Sequence, residues 1–212
     1  MVGTSNQRQL EEIVKYCAED TLARSGFKRR GTDFVRRVEP GFILLLEFGL
    51  GSSWSIYQGK FALDAAVYIE EAFTVLHDVK PPRRPSSMHC DLRVRVAMLG
   101  SPSVEDKWWS LTDRLSILRS EIQAELQDLA LPFLETLKGR QAFVQRWEEV
   151  GSDGLHLNPR GDIVAAIVLK HLGNEARAQE IFERVVNESV GARTNAFYRS
   201  IAKRCGFLGG DN

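Results

Sequence analysis

The stretch Asp91–Arg95 places two guanidinium groups where chemistry could be done. Leu92, Val94 and Val96 alternate with Asp91, Arg93 and Arg95, and alternate residues of a strand share a face. Arg93 and Arg95 therefore project together, and guanidinium forks suit phosphate or carboxylate. Tyr68 and Trp109 are candidate walls for such an anion site. The same two cations could instead pair with Asp64 or Glu47 on neighbouring strands. A second basic group is Lys28-Arg29-Arg30, followed by Arg36-Arg37. Arg36 and Arg37 point to opposite faces and cannot form one patch with each other. Solvated charges at a turn or sheet edge also discourage stray strand pairing.

Other reactive residue types lack the company their chemistry requires. His89-Cys90 has no second ligand pair nearby, whereas zinc needs three or four ligands. Adjacent strand residues point apart, so His89 is badly placed to take a proton from Cys90. Ser52-Ser53 follows Gly49-Leu50-Gly51 without a GxSxG elbow or a phosphate loop. His156, near Asp153 and Asp162, reads as an inter-helix turn in which Asp162 caps the next helix. No metal and no cofactor is expected. Trp54, in a Gly/Ser loop, and Arg83 and Arg84, in the loop Lys80–Ser87, are suited to a contact surface with Lys28, Arg29 and Arg30.

The composition narrows the partners. The chain has 212 residues, 43% of them hydrophobic, with 28 basic and 28 acidic side chains. A neutral chain lacks the long-range field that gathers nucleic acid, which argues against that partner. The longest clearly apolar run, Phe42–Leu46, is far too short to span a membrane. Cys17, Cys90 and Cys205 are odd in number and widely spaced, and the N-terminus has no apolar leader region. Both features point to a soluble cytoplasmic protein.

The elements that must position these residues read as follows. Leu10, Ile13, Val14, Cys17 and Leu22 make one face of a first helix, with Ser5 as its N-cap, Gly26 as its C-cap and Phe27 folding back. Lys28–Thr32 reads as a tight basic turn. Strands follow over Asp33–Val38, Phe42–Phe48 and Lys60–Ile69, with Glu39-Pro40-Gly41 as a turn between the first two. Phe42–Phe48 is apolar throughout and so belongs at the sheet centre, covered on both faces. Lys80–Ser87 is an extended, Pro-rich loop. A fourth strand holds Arg93 and Arg95, and Asp106–Leu111 is a short fifth strand or the lead-in to a helix.

From Thr112, a candidate N-cap, a helical stripe of Leu115, Leu118, Ile122, Leu126 and Leu129 runs to Pro132. Shorter helices follow near 141–150, 162–172, 175–190 and 194–205, punctuated by Gly139, Gly151, Gly173 and Gly191. The fold class is α+β. Residues 1–111 form an α+β unit of an N-terminal helix on four or five antiparallel strands. Residues 112–212 form a helical unit packed with it as one body. The helix Thr112–Leu131 is the candidate cover for the sheet face opposite the first helix.

With these elements placed, the chain resembles the bacterial DUF4304 family. The resemblance is carried in order by Gly26–Phe34, the strand Phe42–Phe48, Lys60-Phe61, His89–Arg95, Trp108-Trp109 and Asp113, over roughly residues 5–135. It implies the α+β fold and no catalytic residues. Ala166, Gly173, Ala178 and Phe182 also resemble one tetratricopeptide unit at about 162–190. A solenoid needs about three such units, so a single helical hairpin packed on the rest is expected.

These observations predict a non-enzymatic protein-interaction module with a protein partner, of which an immunity or accessory role is one form. The alternative is a small-anion or nucleotide-phosphate binder, or a hydrolase, that uses the Arg93/Arg95 face.

Overall fold

The computed structural model describes residues 2–52, 55–100, 106–155, 157 and 160–207, with side chains from residue 5 onward. Among these residues α1 (Val2–Arg24) opens the chain. It starts ahead of Ser5, which lies inside the helix rather than capping it. At its end Gly26 has φ +80°, and the Phe27 and Gly26 amides donate to the carbonyls of Leu22 (2.9 Å) and Ala23 (3.0 Å). This arrangement satisfies the last free carbonyls and buries Phe27.

Lys28–Arg30 is not the turn expected of it. It forms a short strand, β1, on β2 (Asp33–Glu39), and the turn is Gly31-Thr32. β3 (Phe42–Leu50) and β4 (Lys60–Ile69) complete the meander. α2 (Glu70–His77) follows directly on β4. After the Pro-rich loop and a single turn at Ser87–His89 come β5 (Leu92–Arg95) and β6 (Trp109–Ser110). The antiparallel sheet runs β1-β2-β3-β4-β5, with β6 also on β4. β3 lies at its centre, which explains the unbroken apolar run Phe42–Leu46, all of it buried.

The two faces of the sheet differ. Phe42, Leu44, Leu46 and Phe48 join α1 and the C-terminal helices in one buried cluster that extends from Leu10 to Cys205. Ile43, Leu45, Ala66 and Tyr68 form a small second cluster capped by Phe73 of α2.

α3 (Leu115–Ala124) packs on α1 and contributes to the large cluster. It therefore lies on the same side of the sheet as α1 and does not cover the opposite face. That face is crossed by the chain from α2 to β5. Arg30 donates to the Pro85 carbonyl at 2.6 Å, and Ser87 Oγ donates to Glu47. We call this segment the strap.

Thr112 does not cap α3, which begins after Arg114. The helix then widens into a π turn at Glu125–Ala130 and continues past Pro132 as α4 (Leu131–Glu135). The wide turn carries the buried stripe from Leu118, Ile122 and Leu126 on to Ala130 and Leu134. Leu115 is left half exposed at 50% and Leu129 only partly buried.

α5 (Arg140–Gly154, broken at Gly151), α6 (Gly161–His171), α7 (Glu175–Glu188) and α8 (Ala192–Arg204) complete the described chain. Ala166, Ala178 and Phe182 are buried where α6 meets α7. Arg140, only 5% exposed, ties α5 to the sheet region. It forms a two-point pair with Glu71 (2.6 and 2.8 Å) and reaches Glu39 at 2.8 Å.

Candidate functional site

The polar face of the sheet is built by register. Arg30 pairs with Asp33, Asp33 with Glu47, Glu47 with Asp64 and Asp64 with Arg95. One row of charged side chains thus crosses five strands. Arg93, two residues from Arg95, stands on the same face. Asp64 is nearly buried, with its side chain 5% exposed, and it receives both arginines. Arg93 donates through Nη2 at 2.6 Å and Nε at 3.2 Å, and Arg95 Nη1 lies at 3.0 Å. Arg95 also pairs with Asp106 at 2.8 Å, and Glu47 lies 4.0 Å from Arg93. The two guanidinium groups are brought together as the alternation implied, and Asp64 between them, with Asp106 on Arg95 and Glu47 near Arg93, supplies their counter-charge.

Burial raises the Glu47 carboxyl above its ordinary value. The Asp33 charge adds to that rise, Arg93 opposes it and Asp64 adds again. Its raised proton affinity comes first from burial, and the carboxylates that strand register sets on either side of it add to the rise.

The candidate walls separate. Tyr68 lies on the polar face but is buried. Its hydroxyl has no partner among the described residues, and burial pushes it up to about 12, with Glu70 adding to the rise. Trp109 is on the other face. Its pairing with Phe61 turns it into the core, where it stacks on Phe61 (5.5 Å) and donates to Glu121 (2.9 Å). Trp108 is the tryptophan beside the arginines: the Arg95 guanidinium lies 4.7 Å above its ring, and Tyr57 stacks on it at 4.2 Å. A two-residue strand carries too little pattern for sequence to assign which tryptophan faces which side.

The other candidates are dispersed. Arg29 pairs with Glu19 at 3.2 Å, Arg30 is held by Asp33 and Pro85, and Lys28, Arg83 and Arg84 are exposed. Lys28–Arg30 make up the whole of a three-residue edge strand, the placement that discourages strand addition. Trp54, Ser53 and His156 lie outside the described residues.

His89 Nδ1 accepts the Ser86 amide (3.1 Å), while Cys90 Sγ donates to the Ser86 carbonyl (3.4 Å). Imidazole and thiol are each engaged with Ser86. Burial pushes the Cys90 thiol up, and the Asp91 charge adds to the rise. Burial likewise pushes Cys17 up to about 11, so neither thiol is an activated nucleophile.

Sequence reasoning missed a groove between α1 and α3. It encloses about 890 Å³ over Ile13, Tyr16, Leu111 and Leu115. Tyr16 is 51% exposed and Leu115 50%, and the Arg119 guanidinium lies 4.9 Å above the Tyr16 ring. Gln9 donates to the Leu111 carbonyl at 2.9 Å and closes one side. The available signal was Tyr16, an aromatic off the apolar stripe of α1.

The family model for a domain of unknown function, DUF4304, matches residues 18–136. The chain belongs to the DUF4304 family. The DUF4304 match starts within α1 and ends just past α4, so it contains the sheet, the strap and α3, while α5–α8 lie beyond it. No curated protein and no solved structure matches the chain. No helix among the described residues is long and apolar enough to cross a membrane.

Proposed function

We propose that this DUF4304 protein is a non-enzymatic protein-interaction module whose α1–α3 groove receives an amphipathic helix of a partner protein. The observation that carries the reading is the pair Tyr16 and Leu115. They are large apolar side chains left half exposed over a floor of buried Ile13 and Leu111. Two helices packed side by side with apolar residues between them offer the seat that a third helix fills. The rim carries Glu12, Asp20 and Asp113 against Lys15, with Arg119 laid on Tyr16. A helix with basic residues flanking its apolar stripe suits that rim. Free Cys17, Cys90 and Cys205 fit a reducing cytoplasm on this reading. The alternative, an anion site at Arg93 and Arg95, would require an incoming anion to displace Asp64 from both arginines.

A photo-crosslinking residue placed at Leu115 tests the proposal in cells. The expected result is one discrete protein adduct from position 115 and none from position 83 on the strap. No adduct at 115, or the same adducts from both positions, overturns it.

A further inference from the structure

A second concavity, of about 640 Å³, opens between the strap and α8. It shares no residue with the α1–α3 groove and does not depend on the reading given to that groove. His77, Met88 and His89 line it from the strap side, and Arg160, Arg193 and Phe197 from the helical side. We propose that this cleft binds a small aromatic phosphomonoester, with the phosphate at Arg193 and Arg160 and the ring against Phe197 and Met88.

The cationic end is held in place. α8 is fixed to α2 at its far end, where Arg204 donates to the Val75 carbonyl (2.6 Å). At its near end Asn195 donates to the Val186 carbonyl (2.8 Å). Arg193 sits in the first turn of α8, which has no side-chain cap, so its guanidinium and the turn's free amides present positive charge together. Arg193 is exposed and pairs with no carboxylate among the described residues. Arg160 lies 4.8 Å above the Phe197 ring, which joins the cationic part of the cleft to its aromatic wall.

The strap supplies the rest. His89 Nδ1 is occupied by Ser86, which leaves the neutral ring's proton on Nε2 as a donor. Met88, 78% exposed, offers a soft apolar surface for a ring. The cleft volume is within the range of small-molecule sites.

The test is calorimetric titration of the whole chain with phenyl phosphate, AMP and inorganic phosphate. Arg193→Ala, Phe197→Ala and Arg83→Ala are titrated in parallel. The wild type is expected to bind phenyl phosphate or AMP saturably and more tightly than inorganic phosphate. Arg193→Ala should weaken that binding by about tenfold or more, as expected for loss of a charged hydrogen-bonding partner. Phe197→Ala should erase the preference over inorganic phosphate, and Arg83→Ala should bind as wild type. Absence of saturable binding by both aromatic esters overturns the proposal, as does equal weakening in Arg193→Ala and Arg83→Ala. Inorganic phosphate binding as tightly as the esters overturns the ring assignment.

Discussion

The polar face of the sheet and the cleft between the strap and α8 use the same materials to different ends. Each sets two arginines beside aromatic rings. On the sheet, Arg93 and Arg95 converge on Asp64, a carboxylate only 5% exposed, and Arg95 is sandwiched between Trp108 and Asp106. In the cleft, Arg193 stands at an uncapped helix start with no carboxylate partner among the described residues. A pair of arginines therefore does not identify a ligand site. What matters is whether the fold has already supplied the counter-charge. On the sheet, strand register supplies it, so that face acts as a strut tying β5 and the strap to the central strands.

This contrast can be broken by substitution, and the largest effect is expected at its centre. Asp64→Ala removes the shared acceptor and leaves Arg93 with Glu47 alone, 4.0 Å away, and Arg95 with Asp106 alone. Breaking a fully buried pair from one side costs about 3–5 kcal/mol. The loss is expected at or below the low end of that range, because Arg93 is 38% exposed and Arg95 keeps Asp106, and chemical denaturation would measure it. A loss below about 1 kcal/mol would mean the strut carries little, since that is the usual value of a solvent-exposed pair. Arg93→Ala should cost less, about 1.5–3 kcal/mol for a charged hydrogen bond. Arg93 is 38% exposed, and Arg95 remains on Asp64.

Glu47 sharpens the comparison through pH. A carboxyl whose folded pKa is raised destabilises the fold when it is forced to ionise. That penalty is absent below its ordinary value of 4.5 and develops as pH rises through the elevated folded value. Glu47→Gln keeps an acceptor for Ser87 and removes the charge. Its melting temperature should match wild type at the acid end and exceed it at neutral pH. A variant that is less stable at neutral pH would show that Arg93 outweighs burial. The smallest effect belongs to the cleft: Arg193→Ala should leave stability within about 0.5 kcal/mol, as for a surface change away from any network.

How much of this was legible in the sequence varies by residue. β3 could be placed because Phe42–Leu46 is apolar on both faces, and α1 could be placed because its stripe and its Gly26 cap agree. Arg93 and Arg95 could be read as neighbours because alternation is local. That Asp64 takes both of them depends on the pairing of β4 with β5, which no local pattern encodes. α2 escaped notice because eight residues with buried Ala72, Phe73 and Leu76 give barely two turns of periodicity. The π turn escaped for a related reason: its wide turn delivers Ala130 and Leu134 to the core in place of Leu129. α3 was expected opposite α1, but amphipathicity shows that a helix has a partner surface without saying which face of the sheet provides it. The cleft is assembled from His77, His89, Arg160 and Arg193, four segments with no shared signal.

The account's central claim is that contact with a partner occurs at the α1–α3 groove while the arginine face is scaffold. Quantitative affinity capture from cells, with wild type, Leu115→Asp and Arg93→Ala as baits, tests it most directly. Leu115 opens α3, where an acidic residue is compatible with the helix dipole, so this variant should remain folded. The account predicts a protein captured by wild type and Arg93→Ala and lost with Leu115→Asp. Capture that survives Leu115→Asp and disappears with Arg93→Ala would contradict it.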